Sequence, residues 1–137
     1  MFAIGTDILE VCRIEKSLKI PRFLSFAFGE EEIKILKTKK FCPRSVAANF
    51  CAKEAFFKAM GTGIRGFGLK NVQTLRDELG KPYFKFSGKV LEEVQRNKYK
   101  FSVSLSHSEN YAIATVLLYH EESFEGDYYD GIPVYNM

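Results

Sequence analysis

The 137 residues, 46% of them hydrophobic with 13 Phe and 7 Tyr, suffice to bury one core, and length alone gives no reason for a second. Residues 120–137 hold five acids and no Lys or Arg, so residues 1–119 carry 20 bases against 12 acids, a net +8 that favours anionic partners, whether nucleic acid, phosphorylated cofactors or an acidic protein, although solubility alone is an adequate reason for it. Three cysteines (Cys12, Cys42, Cys51) without C-x-x-C spacing argue against a disulfide framework or a thiolate metal site, and without an N-terminal leader or an apolar run of spanning length, a reduced cytoplasmic protein is expected, not membrane-bound.

In chain order, FAIGTDILEV is β-prone, and Asp7 within it must face solvent or have a partner. VCRIEKSLKI places Val11, Ile14 and Leu18 at helical spacing, which predicts a short helix with Arg13, Lys16 and Lys19 exposed. After Pro21 and the apolar segment RFLSFAF, Gly29 precedes Glu30, Glu31 and Glu32, which suit the positive end of a helix reaching about Lys37; KTKKF then reads as a solvated loop. The longest helix is expected from Pro43, tolerated in a first turn, to Gly61, a residue type that favours a left-handed cap. NVQTLRDELGKPYFKF reads as two strands around a turn at Asp77 to Pro82, and SGKVLEEVQR as a helix. FSVSLSHSENYAIATVLLY is a hairpin turning at His107 to Asn110. One domain over 1–119 and an acidic tail over 120–137 are expected.

On the central helix, steps of three and four residues put Arg44, Ala47, Cys51, Glu54 and Lys58 on one stripe, with small residues in the gap where something could lie across it. The neighbouring stripe of Val46, Phe50, Phe57 and Met60 belongs to the core. The plain alternative for the charged stripe is a solvated face in which Glu54 and Lys58 pair for roughly 0.2–0.5 kcal/mol. Gly61, Gly63 and Gly66 spell G-x-G-x-x-G, but a helix precedes them where dinucleotide binding needs a strand, so a backbone anion concavity or a simple cap remains. His107, at the expected turn, has more the character of a surface residue than of a catalyst. A carboxylate in the first strand paired with one on a helix is an arrangement that holds Mg²⁺, which accepts one or two protein carboxylates.

The segments IGTDILEVCRI, RFL followed by F-x-x-x-E, AKEAFFKAMGTGI, GKP and VSLSHSENYAIA occur in an order that resembles bacterial holo-[acyl-carrier-protein] synthases, the small phosphopantetheinyl transferases, over about residues 2–118. The resemblance implies an α+β subunit of the 4′-phosphopantetheinyl transferase fold, a small antiparallel sheet packed with a long central helix. It also implies a homotrimer with coenzyme A bound between subunits. Carried onto this sequence, Asp7 and Glu54 would hold Mg²⁺, and Lys58 would meet the pyrophosphate of coenzyme A. Gly61 and Gly63 would let backbone and cofactor approach. Arg44, His107 and Lys81 would lie near cofactor phosphates or the pantetheine arm. Arg13 resembles the position that docks the acidic helix of acyl carrier protein, with Arg22 as a secondary position. Two departures stand out: ANFCAKEA replaces the frequent G-R-F-A-A-K-E-A, placing Asn49 where the arginine would be and Cys51 for alanine, and the acidic tail after Tyr119 is outside the usual pattern.

The implied reaction moves 4′-phosphopantetheine from coenzyme A to a serine hydroxyl of the carrier in fatty acid biosynthesis, releasing adenosine 3′,5′-bisphosphate. Its general base would be a water, metal-associated or oriented by a carboxylate, with His107 as the side-chain rival. Another carrier, from polyketide or peptide synthesis, fits the same residues. A nucleic-acid-binding module would use the basic body but leaves the ordered acids unexplained, and no RNP-like or helix-turn-helix signature accompanies it.

Overall fold

Eighteen residues, Pro43–Met60, form the longest helix among the described residues, and the strands Phe2–Glu10, Val72–Arg76, Tyr99–His107 and Tyr111–His120 pack against it. Pro43 opens its first turn, and Gly61 closes it in the left-handed region at φ 74°, its N–H donating to the carbonyls of Phe57 and Lys58 at 3.1 Å. The computed structural model describes residues 2–63, 68–120, 128–129 and 132–133. Gly66 and the five tail acids fall outside the described residues.

In chain order the elements are β1 (Phe2–Glu10), α1 (Val11–Ser17), α2 (Phe23–Ala27), α3 (Glu30–Thr38), α4 (Pro43–Met60), β2 (Val72–Arg76), β3 (Pro82–Phe86), α5 (Gly88–Arg96), β4 (Tyr99–His107) and β5 (Tyr111–His120). Two short paired strands follow, β6 (Tyr128–Tyr129) and β7 (Ile132–Pro133). The fold is α+β: an antiparallel sheet of order β1-β5-β4 covers one side of α4, and the separate hairpin β2–β3 lies against another. Alternation sends Ala112, Ala114, Val116 and Leu118 of β5 inward, and their mostly small side chains let the helix lie close to the sheet.

Eleven residues of α4 are buried, among them Ala47 and Cys51 with no exposure, so the stripe expected to lie open is covered by strands through its middle. The small residues on it serve close packing, with Cys51 Sγ 3.2 Å from the Asp7 carbonyl oxygen and 3.5 Å from that of Ala112. Phe56 of α4 stacks with Phe101 of β4 and Phe84 of β3 at ring-centroid distances of 4.9 and 5.4 Å, tying the hairpin to the larger sheet.

Two further expectations need correction. His107 is not in the turn but is the last residue of β4, paired with Ala112, because Ser108–Asn110 suffice to reverse the chain. KTKKF is more than a solvated loop: Lys40 and Phe41 adopt φ 54° and 52°, which turns the Phe41 ring back onto the core. Among the described residues, no helix is long and apolar enough to cross a membrane.

Candidate active site

The strand β1 and the last two turns of α4 meet in a seam. Gly5 makes the approach possible, since a Cβ there would lie 2.1 Å from the Ala55 carbonyl oxygen and 2.6 Å from the Ala59 nitrogen. Alternation along β1 then turns Asp7, two residues on, toward the same helix. Lys58 Nζ donates to Asp7 Oδ1 at 2.9 Å and to the Thr6 carbonyl oxygen at 3.0 Å, while Cys51 Sγ donates to Asp7 Oδ2 at 3.3 Å. Lys58 therefore pairs with Asp7, and the helical Glu54–Lys58 pair that spacing suggests does not form.

Glu54, one turn before Lys58, is half-buried and, among the described residues, makes no hydrogen bond or ion pair. Burial and, next, the negative charge of Asp7 raise its pKa above the usual carboxylate value, against a smaller pull from Lys58. The two carboxylates thus face a common space. Burial first, then Asp7, pushes the Cys51 thiol up to about 12, so it stays protonated and serves Asp7 as a donor. The hydrogen bond that Lys58 donates to the Asp7 carboxylate raises the lysine's pKa, which keeps it cationic at the open edge of the seam.

Gly61 and Gly63 follow Lys58 with φ 74° and 60°, and nothing stands within 4 Å of where a Cβ would be. Their backbone is open to an approaching group, and it is the positive φ that calls for glycine. The other expected cofactor residues lie elsewhere in the chain. Arg44, in the first turn of α4, is ten residues and so roughly 15 Å along the axis from Glu54, in a cavity with Glu15, Cys42 and Glu109. Lys81 lines a cavity between the β2–β3 hairpin and β4, with Tyr83, Phe84 and Ser102. His107 opens into a third cavity, of about 250 Å³, beside Lys39 and Arg76. Asp7 lies across β5 from Leu105, so His107 stands two strands across and two residues along from Asp7, on the order of 10 Å away within one chain. Arg13 on α1 and Arg22 before α2 are exposed.

A family profile described as the 4′-phosphopantetheinyl transferase superfamily matches residues 3–116. The chain belongs to this superfamily. Among the superfamily's curated relatives, the holo-[acyl-carrier-protein] synthase of Clostridium botulinum (strain Eklund 17B / Type B) is 45% identical over 116 residues, 84% of this chain and 94% of that one. A holo-(acyl-carrier-protein) synthase from Bacillus anthracis solved in complex with CoA (3′,5′-ADP) superposes with a TM-score of 0.73 at 32% identity, covering 87% of this chain and 96% of the other. The Helicobacter pylori enzyme in complex with coenzyme A gives 0.74 at 30% identity, covering 85% and 99%.

Three contributors were not found by sequence reasoning. Cys51 steadies Asp7, and its place one turn before Glu54 on the charged stripe was the available signal. Lys53 is fully buried against Glu32 and the carbonyl oxygens of Leu69 and Val72, although a lysine in an amphipathic pattern reads as exposed. Arg76, on β2, reaches the Asn49 side chain of α4, a contact between residues distant in sequence that no spacing rule reveals.

Proposed function

We propose that the protein transfers 4′-phosphopantetheine from coenzyme A to a serine of an apo acyl carrier protein, as the names of its relatives suggest for them. The observation that carries this reading is the meeting of Asp7 from β1 with Glu54 and Lys58 from α4 in one solvent-reaching seam. Two carboxylates and an ammonium there suit a pyrophosphate and a hard divalent cation.

Asp7 and Glu54 fit Mg²⁺. Both offer hard oxygen donors, and their mutual repulsion at a partly buried place is what a divalent charge relieves. When bound, Mg²⁺ supplies Lewis-acid stabilisation of the charge that grows on the pyrophosphate. The chain's own residues do the rest. Lys58 holds a positive charge beside the reacting phosphate, and the open backbone at Gly61 and Gly63 lets the ligand approach. The serine oxygen forms a bond to the β-phosphorus as the bond to the departing adenosine 3′,5′-bisphosphate breaks, with the serine proton passing to water beside the carboxylates. Within one chain His107 lies on the order of 10 Å from Asp7, so it would serve as that base only from a neighbouring copy.

Arg44, Lys81 and His107 occupy three cavities apart from the seam, so one ligand reaches several of them only if a neighbouring copy supplies some. The outer face of the sheet, with Phe2, Ile4, Ile8, Tyr111 and Ile113 exposed, is apolar enough to be covered by such copies, which supports a homotrimer with the site between subunits. Exposed Arg13 and Arg22 suit an acidic carrier, and an acyl carrier protein is the one in the relatives' name. The decisive experiment incubates the purified protein with coenzyme A, Mg²⁺ and apo acyl carrier protein and reads intact mass. The carrier should gain the phosphopantetheine mass only with metal present. An unmodified carrier under saturating substrate and metal would refute the reading.

A further inference from the structure

The departure at position 49 has a structural counterpart. Asn49 is buried on α4, where its Nδ2 donates to the Thr74 carbonyl oxygen at 3.2 Å. That bond fixes the amide orientation, because a flipped amide would set oxygen against oxygen. Its Oδ1 is thereby left to accept from Arg76 Nη2, also at 3.2 Å. Arg76 additionally donates from Nη1 to its neighbour's carbonyl oxygen, that of Leu75, at 3.3 Å. A guanidinium has five N–H donors, so three remain for something else.

Those donors belong to a residue that lines the cavity of about 250 Å³ shared with Lys39, Ser45 and His107, which no carboxylate lines, and that also borders a shallower opening beside Asp77 and Glu78. The carboxylate that Arg76 senses, Glu32, is engaged by Lys53. Burial pulls the Arg76 pKa down from its ordinary value, with Glu32 opposing the fall, but a guanidinium stays charged at any ordinary pH, so the cavity is lined by a partly desolvated cation that forms no ion pair among the described residues and is oriented by Asn49. Such a group discriminates for a compact anion able to take two parallel N–H donors.

We propose that Arg76, held by Asn49, supplies the guanidinium that the family often carries at position 49 itself, and that it binds a phosphate monoester in this cavity. The inference rests on the proposed function, in which the pyrophosphate of coenzyme A is committed to Asp7, Glu54 and Lys58. The phosphate left over is the ribose 3′-monoester, a dianion with three equivalent oxygens. Helix and strand have exchanged roles: the side chain at 49 now orients the cation, and β2 delivers it.

The test compares affinities for coenzyme A and 3′-dephospho-coenzyme A, measured by calorimetry on the wild type, Arg76→Ala and Arg76→Lys, with thermal melts confirming that each is folded. The wild type should prefer coenzyme A. Arg76→Ala should weaken coenzyme A binding by roughly tenfold or more, the scale of a lost charge-assisted contact, while leaving the dephospho form unchanged. Arg76→Lys should keep more of the preference than Arg76→Ala, since the charge remains without the fork. A merely structural role would lower both affinities together, and that result overturns the assignment, as would an undiminished preference in Arg76→Ala or equal losses from the two variants. A wild type that modifies the carrier while showing either result sinks this inference alone, whereas a wild type that binds neither ligand sinks the proposed function with it.

Discussion

Lys53 and Glu32 form an ion pair with no exposure of either side chain, at the junction of α3, α4 and the start of β2. The lysine's other two protons go to the carbonyl oxygens of Leu69 and Val72, and its ammonium lies 5.1 Å from the Phe28 ring centroid. Lys53 and Glu54 are adjacent, so their side chains leave α4 about 100° apart. The buried pair consequently sets the rotation that presents Glu54 to the seam. Burial pulls the Lys53 pKa down to about 8, with Glu32 opposing the fall. Lys53→Met strands a buried carboxylate and should cost about 3–5 kcal/mol in urea denaturation, much of it recovered in Lys53→Met with Glu32→Gln. A loss below about 1 kcal/mol in the single variant would show that the pair does not anchor the helix.

Gly5→Ala tests the closeness of the seam. The added methyl meets backbone atoms of Ala55 and Ala59, which cannot rotate aside as a side chain could. Strand and helix must separate, at a cost of about 1–3 kcal/mol or more, and Asp7 moves away from Glu54. Melting temperature and turnover are expected to fall together. Full activity at wild-type stability would mean that the strand has slack which this packing denies.

Glu54→Gln separates stability from activity. Folding raises the Glu54 pKa, so the native state binds that proton more tightly than the unfolded chain does. Its contribution is fully present below the ordinary value of 4.5 and is lost as pH rises through the raised one. The permanently neutral glutamine escapes that loss. It should melt above the wild type near neutral pH and alike below about pH 4, while Mg²⁺-dependent turnover drops by roughly 100-fold or more. A variant that melts below the wild type at neutral pH would contradict the repulsion assigned to the two carboxylates.

Lys58→Ala should lower activity without the loss of stability expected of Gly5→Ala. The Lys58 side chain is 53% exposed, and the worth of its pair with Asp7 is correspondingly small, within about 1 kcal/mol of stability. Its charge faces the proposed pyrophosphate, so kcat/KM for coenzyme A is expected to fall about 10- to 100-fold. Steady-state kinetics with an unchanged kcat/KM would remove Lys58 from the site.

Arg13→Ala probes the carrier surface. Exposed on α1 and with no contact to Asp7, Glu54 or Lys58 among the described hydrogen bonds and ion pairs, it should raise KM for apo acyl carrier protein, more so at low salt, and leave coenzyme A affinity unaltered. Loss of coenzyme A affinity with carrier KM unmoved would place the docking surface elsewhere.

The sequence by itself determined the local elements. Pro43 and Gly61 mark the ends of α4, Val11 and Ile14 mark the buried face of α1, and the turn expected from Asp77 to Pro82 separates β2 from β3, with Pro82 itself opening β3, because each signal acts within a few residues of the backbone it shapes. It also identified Asp7, Glu54 and Lys58 as functional candidates by resemblance, but not their contacts. Tertiary structure alone decided that Lys58 turns to Asp7, that Cys51 and Ala47 are covered, that Lys53 goes inward to Glu32, and that Arg76 reaches Asn49. The physical reason is that helical periodicity ranks faces by polarity but says nothing of what packs against them. An 18-residue helix enclosed on most sides by a sheet, a hairpin and three short helices has no single outside for the pattern to report.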